Sequence, residues 1–232
     1  LDDFMSDTVV EGNIFCHAGR AAFLGGGRDN KVENNLFIAC KASVHLDARG
    51  TSWAAYYFDG TFPWCFDAME AMHYDKPPYS EKYPKLLELY DDEPAQPKNN
   101  VVRRNVSFGG LWFEFRDQVR ITDVTHELNY VADDVLSEQL KQELEVDPYF
   151  LNIDGAEPYD RLESAGEPNE AFIKGGNVVA HGAVPVPGWK ERNFTVKKDV
   201  AEQIGFVQIP FERIGLYLDA WRKDLVEGAK VG

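Results

Sequence analysis

The hexapeptide Val10-Glu11-Gly12-Asn13-Ile14-Phe15 returns as Val32-Glu33-Asn34-Asn35-Leu36-Phe37, every position displaced by 22 residues. The likeness runs on downstream, setting Ala22 over Val44, Leu24 over Leu46 and Gly25 over Asp47. A third copy, Val102-Arg103-Arg104-Asn105-Val106, follows 70 residues after the second. A repeat this short is one supersecondary unit that cannot bury its own apolar face, so it must stack on its neighbours. Two architectures have such a period, the leucine-rich repeat and the parallel β-helix, and the chain lacks the L-x-x-L-x-L frame of the first. The expectation is therefore an all-β parallel β-helix, a solenoid whose coils lie about 4.8 Å apart. In that arrangement Asn13, Asn35 and Asn105 form one column and hydrogen-bond along it, a structural use of asparagine.

Coils are expected at 1–50 and 99–132, with a long aromatic insertion at 51–98, a second insertion at 133–147, and a C-terminal capping segment at 148–232. Within the first insertion, 80–90 (SEKYPKLLELY) reads as a short amphipathic helix with Ser80 as N-cap and Leu86, Leu87 and Leu89 as its apolar contacts. The stretch 133–144 (DDVLSEQLKQEL) has helical spacing at Val135, Leu136, Leu140 and Leu144. Since the first residues already lie inside a repeat, the chain reads as the C-terminal part of one β-helix domain. The N-terminal coils of the same parent protein would then be its natural partner.

Composition narrows the partners. Thirty-nine acidic against 24 basic residues give a net charge of −15, which repels nucleic-acid phosphates and anionic membrane surfaces. A strongly anionic polysaccharide is disfavoured as well, unless a cation bridges the two. Three cysteines and five histidines show no spacing typical of a transition-metal site, so no metal is expected there. No apolar run is long enough to span a bilayer.

The runs GGGRDNKVENNLFIACKASVHLDARG (25–50), PPYSEKYPKLLELYDDEPAQPKNNVVRRN (77–105) and GFVQIPFERIGLYLDAWR (205–222) resemble a bacterial family of right-handed parallel β-helix proteins. That family belongs to the pectate-lyase-like superfamily and includes proteins similar to glycoside hydrolase family 141. The opening Leu1-Asp2-Asp3 resembles the end of the family's I-Y-L-D-D coil. The resemblance implies a carbohydrate polymer or oligosaccharide as partner and a secreted, periplasmic or cell-surface location. It leaves the reaction open, because the fold hosts hydrolases, lyases and binding proteins alike.

Strand alternation supplies candidate site residues. With Val44 and Leu46 inward, His45, Asp47 and Arg49 share the outward face. Gly25 lies one coil away from Asp47, and Asp2 or Asp3 one coil further, the register being ambiguous by one residue. Two coil spacings put the carboxylates roughly 9–10 Å apart at the backbone. Inverting glycosidases hold their acid and base roughly 6.5–9.5 Å apart. Asp47 with Asp2 or Asp3 is thus the candidate catalytic pair of a glycoside hydrolase, with the glycine run Gly25-Gly26-Gly27 as an open floor. Arg28, Asp29, His45 and Arg49 would line the groove, and Trp53 and Trp64 would stack on sugar rings. Against these stand simpler structural roles: an ion pair for the aspartates, a turn for Arg28-Asp29-Asn30, packing of His45 on Phe23, and burial for the tryptophans. Two further functions stay open. One is a polysaccharide lyase, whose cofactor would be Ca²⁺ on Asp2, Asp3, Asp29 and Asp47; the other is a non-catalytic carbohydrate-binding or surface module.

Overall fold

The computed structural model describes residues 1–133 and 175–214. Twelve strands are described: β1 (Val9–Glu11), β2 (Ile14–Cys16), β3 (Arg20–Gly25), β4 (Lys31–Glu33), β5 (Leu36–Ile38), β6 (Ala42–Asp47), β7 (Asn100–Arg103), β8 (Val106–Phe108), β9 (Leu111–Arg116), β10 (Val124–Glu127), β11 (Tyr130–Asp133) and β12 (Val178–His181). They form three parallel sheets, ordered β1-β4-β7-β10, β12-β11-β8-β5-β2 and β3-β6-β9. Each of the first three passes of the chain gives one strand to each sheet. The pairs Val10–Val32, Ile14–Leu36, Val44–Ala22 and Leu46–Leu24 follow the 22-residue register of the repeat.

The expected all-β, right-handed solenoid is corrected by the structure. About 24% of the described residues are helical against 28% in strands, the three sheets are separate, and no closed solenoid is shown among the described residues, so the layout is mixed α/β. The helices arise where the repeat is interrupted. After β6 the chain leaves the sheets through 3-10 turns at Arg49–Thr51 and Ala55–Tyr57 and enters α1 (Trp64–Ala71). The helix expected over 80–90 is two pieces, α2 (Tyr79–Lys82) and a 3-10 segment Pro84–Asp91. Pro84 supplies no amide hydrogen and disfavours helical backbone in the residue before it, so the helix ends at Lys82. Ser80 lies inside α2 and Pro78 holds the N-cap position. Leu86 and Leu89 are half-buried while Leu87 is exposed. The second insertion's expected helix (133–144), apart from Asp133 at the end of β11, and the expected capping segment over 148–174 and beyond 214 lie outside the described residues.

The middle sheet is buried on both faces, which explains why Leu36-Phe37-Ile38 is a continuous apolar run without alternation. Phe37 faces a core shared with Val44, Leu46, Val102, Phe113 and Phe115. Leu36, Ile38, Val106 and Phe108 face the other way, against a helix α3 (Lys198–Ile204) and the segments around it. That helix buries Val200, Ala201 and Ile204 and stops at Gly205, whose φ of +68° is the left-handed C-cap conformation glycine adopts without strain.

The asparagine column is longer than the repeat predicts. Asn13, Asn35, Asn105 and Asn129 each donate their backbone N–H and their Nδ2–H to the Oδ1 of the next, ending at Asn177, over distances of 2.9–3.1 Å. A second, shorter ladder links Thr8, Asn30 and Asn100 by backbone N–H to Oδ1 bonds. These bonds satisfy turn amides between sheets, where no strand partner exists.

Candidate functional site

Strand β6 and the turn after it build a charged cluster around His45, Asp47 and Arg49. Parallel pairing sets His45 between Phe23 and Glu114, and Asp47 between Gly25 and Arg116. Phe23 stacks flat on the His45 ring, centroids 4.5 Å apart and planes within 4°. His45 Nδ1 lies 2.7 Å from Glu114 Oε2, and Nε2 lies 3.1 Å from Asp47 Oδ2. With two ionised carboxylates as acceptors, both bonds exist only while both ring nitrogens carry hydrogen. Arg20 donates its Nε to the same Glu114 oxygen at 2.7 Å, and Arg116 Nη2 donates to Oε1 at 3.0 Å.

Arg49 sits in the 3-10 turn, beyond the strand, so its side chain folds back onto Asp47. Nε donates to Oδ1 at 2.8 Å and Nη2 to Oδ2 at 2.7 Å, the bidentate fork that matches guanidinium to carboxylate. Its remaining nitrogen, Nη1, donates to Asp2 Oδ1 at 2.5 Å and to Asp3 Oδ1 at 3.3 Å. Phe23 and Trp53 flank the guanidinium, with ring centroids 5.3 and 5.2 Å from Cζ. The glycine floor is therefore occupied: a Cβ on Gly25 would lie 2.6 Å from Arg49 Nη2.

Burial decides the electrostatics. Asp47 is 3% exposed, and burial raises its carboxyl pKa, but the hydrogen bonds and charges of Arg49 and His45 outweigh that and hold it at about 2. Glu114 is depressed in the same way: burial raises it, while His45 and Arg20 lower it further. A carboxyl whose folded pKa lies below its unfolded value stabilises the fold above the unfolded value, and that contribution fades as pH falls through the folded one. For Asp47 the window runs from the ordinary 3.8 down to about 2, a loss of about 2 kcal/mol. Urea unfolding between pH 6 and pH 2.5 is expected to show this loss, and Asp47→Asn to flatten it. An equally steep loss in the variant would assign the acid sensitivity to other groups.

The structure brings six of the nine expected residues together: Asp2, Asp3, His45, Asp47, Arg49 and Trp53. Asp2 and Asp3 are exposed and lie in a turn, Asp3 and Phe4 having left-handed backbone, so they do not continue a strand column. Arg28 and Asp29 are tied to the insertion: Arg28 pairs with Asp92, and Asp29 accepts from Lys85 at 2.5 Å. Asp29 has φ +59°, in keeping with a turn role. Trp64 opens α1, 61% exposed, its ring 6.3 Å from Tyr57. The four aspartates named for Ca²⁺ share no common oxygen cage, since Asp29 belongs to Lys85 and Asp47 to Arg49.

Glu114, Arg20 and Arg116 are the members that sequence spacing misses. The shift from the second to the third copy is 70 residues at Asn35–Asn105 but 69 at His45–Glu114, because the third copy has one residue fewer at the corner before β9. Gly110 makes the shorter corner: its φ is +127°, and a Cβ there would meet the Cys40 carbonyl oxygen at 1.8 Å.

Beside this cluster the insertion presents Trp53, Tyr56, Phe62 and Trp64, each more than a third exposed. Tyr57 links the last three, its ring contacting Tyr56, Phe62 and Trp64, while Trp53 lies on Arg49. No helix among the described residues is long and apolar enough to cross a membrane. No family model, no curated protein and no solved structure matches this chain.

Proposed function

We propose that this chain recognises carbohydrate, with the exposed aromatic face of the 51–98 insertion as the sugar platform and the buried ion-pair cluster as its rigid base. One observation carries the reading: Trp53, 60% exposed, is held on the Arg49 guanidinium, whose Nη1 also pairs with the exposed carboxylates of Asp2 and Asp3. A fixed aromatic ring covers the apolar face of a sugar, and adjacent carboxylates accept from its hydroxyls. The family resemblance of the sequence points the same way, and the acidic chain favours neutral sugars over uronates. Binding to a panel of neutral and uronate-containing polysaccharides and oligosaccharides, read by calorimetry, tests it. Trp53→Ala and Trp64→Ala are expected to weaken binding about 3–10-fold each without loss of fold. Unchanged affinity in both variants would remove the platform.

A second reading is hydrolysis by Asp47 with Asp2 or Asp3. The contact that both sides make with one guanidinium favours it, since a shared Arg49 places two carboxylates in one site. It requires one of them to deliver a proton, whereas Asp47 is held ionised and Asp2, despite the upward pull of its burial, is lowered by Arg49. Reducing-sugar release that Asp47→Asn abolishes would establish it over simple recognition. New ultraviolet absorbance from an unsaturated product, lost on chelation, would instead support the Ca²⁺-dependent lyase.

A further inference from the structure

The same three strands, β1, β2 and β3, form one edge of all three sheets. Their columns are sealed one tier further in: Val32, Leu36 and Phe37 are 0% exposed. At the edge itself, the corresponding Val10, Ile14 and Phe15 are only half-buried. Val9, at the start of β1, is 54% exposed. The apolar interior is thus open on this side at β1 and β2, whose outer backbone groups have no strand partner among the described residues, whereas at β3 Leu24 is 1% exposed and Gly25 already bonds to Leu1 and Phe4.

The asparagine ladder gives that edge a direction. Each Oδ1 accepts the backbone N–H and the Nδ2–H of the asparagine one tier nearer this edge, as Asn35 does for Asn13 and Asn105 does for Asn35. Asn13 donates in the same manner, but its own Oδ1 accepts nothing among the described residues. Charge adds a second requirement. Glu11 lies over Glu33, whose carboxylate is met on its far side by Arg103 and Arg104. A basic residue placed over Glu11 would complete the same pattern there. Phe15 stacks on Phe37 at 5.1 Å with planes within 7°, which leaves its other face for a further ring or apolar chain.

We propose that this edge is an interaction surface for one more parallel tier, supplied by an extended polypeptide segment of the pattern apolar–basic–x–Asn–apolar. Main-chain bonds along β1 and β2 would give affinity, while the Asn13 acceptor and Glu11 would set register. A second copy meeting edge to edge would pair strands antiparallel and bring acceptor against acceptor, so it does not fit the ladder.

The chain itself contains a segment of this pattern, so the probe is a synthetic peptide copying residues 100–108. Added to the full chain, it is expected to bind saturably and to slow hydrogen exchange of the amides in β1 and β2. The peptide's Asn105→Ala form, and the chain's Asn13→Leu form, are each expected to bind about 10-fold more weakly. The peptide variant needs no refolding, so it decides the matter even where the chain variant is damaged. No protection at any peptide concentration, or equal binding by both peptides, would overturn the proposal. Self-association of the chain alone that Asn13→Leu abolishes would also overturn it, by assigning the edge to a second copy.

Discussion

Arg49→Leu is expected to lower the unfolding free energy by about 3–5 kcal/mol, the usual consequence of stripping the partner from a buried charge. Leucine keeps some of the apolar contact with Phe23 and Trp53, so what is lost is chiefly the fork on Asp47. Among the described residues, Asp47 would then keep the His45 ring and the backbone N–H of position 49 as hydrogen-bond partners. Burial, until now outweighed, would push its carboxyl back up, so the acid-dependent loss below pH 3.8 should shrink as well. Denaturant unfolding of both proteins at pH 7 and pH 3 checks the two effects together. A loss under about 1 kcal/mol at pH 7 would mean that Arg49 behaves as a solvated surface charge. The exposed contacts of Arg49 with Asp2 and Asp3 add little to the expected loss, because water screens them.

Asn105→Ala should cost a similar amount, about 3–5 kcal/mol, through a different mechanism. Its side chain is fully buried, accepts from the backbone N–H and Nδ2–H of Asn35, and donates to the Val32 carbonyl and to Asn129 Oδ1. Alanine strips the Asn35 amide of its side-chain acceptor and the Val32 carbonyl of its side-chain donor where water cannot reach. Asn13→Ala is the matched control, the same residue type in the same column but at the exposed end, and about 1 kcal/mol is expected. Thermal or denaturant unfolding of the pair tests whether burial sets the cost. Equal losses would show that the ladder is not cooperative in the way its geometry implies.

The two predictions bear differently on what can be read without a structure. The column Asn13, Asn35, Asn105 is visible as a repeat because the spacing is regular up to that point. Asn129 and Asn177 continue it at intervals of 24 and 48 residues, where insertions have erased the period. The cluster at β6 was half legible. Period-two alternation puts His45 and Asp47 on one face, and their neighbours Phe23 and Gly25 follow from the 22-residue shift. Glu114 was hidden by a one-residue deletion at a glycine corner, and in a strand one residue exchanges the two faces.

Other readings failed where distant parts of the chain meet. The glycine floor looked open in sequence because nothing local shows Arg49 turning back over it. The fold expected to be an all-β solenoid is instead mixed α/β, with helical segments where the residues that leave the repeat after Asp47 no longer have a strand to pair with and satisfy their backbone locally. Sequence by itself determined which residues alternate, which stack tier upon tier, and that asparagine would join the tiers. Only the tertiary structure decided what covers each face, and so whether a charged side chain meets water or an ion partner. The physical reason is range: alternation and turn chemistry act within a few residues, whereas burial depends on chain brought in from far along the sequence, as Glu114 is to His45, 69 residues away.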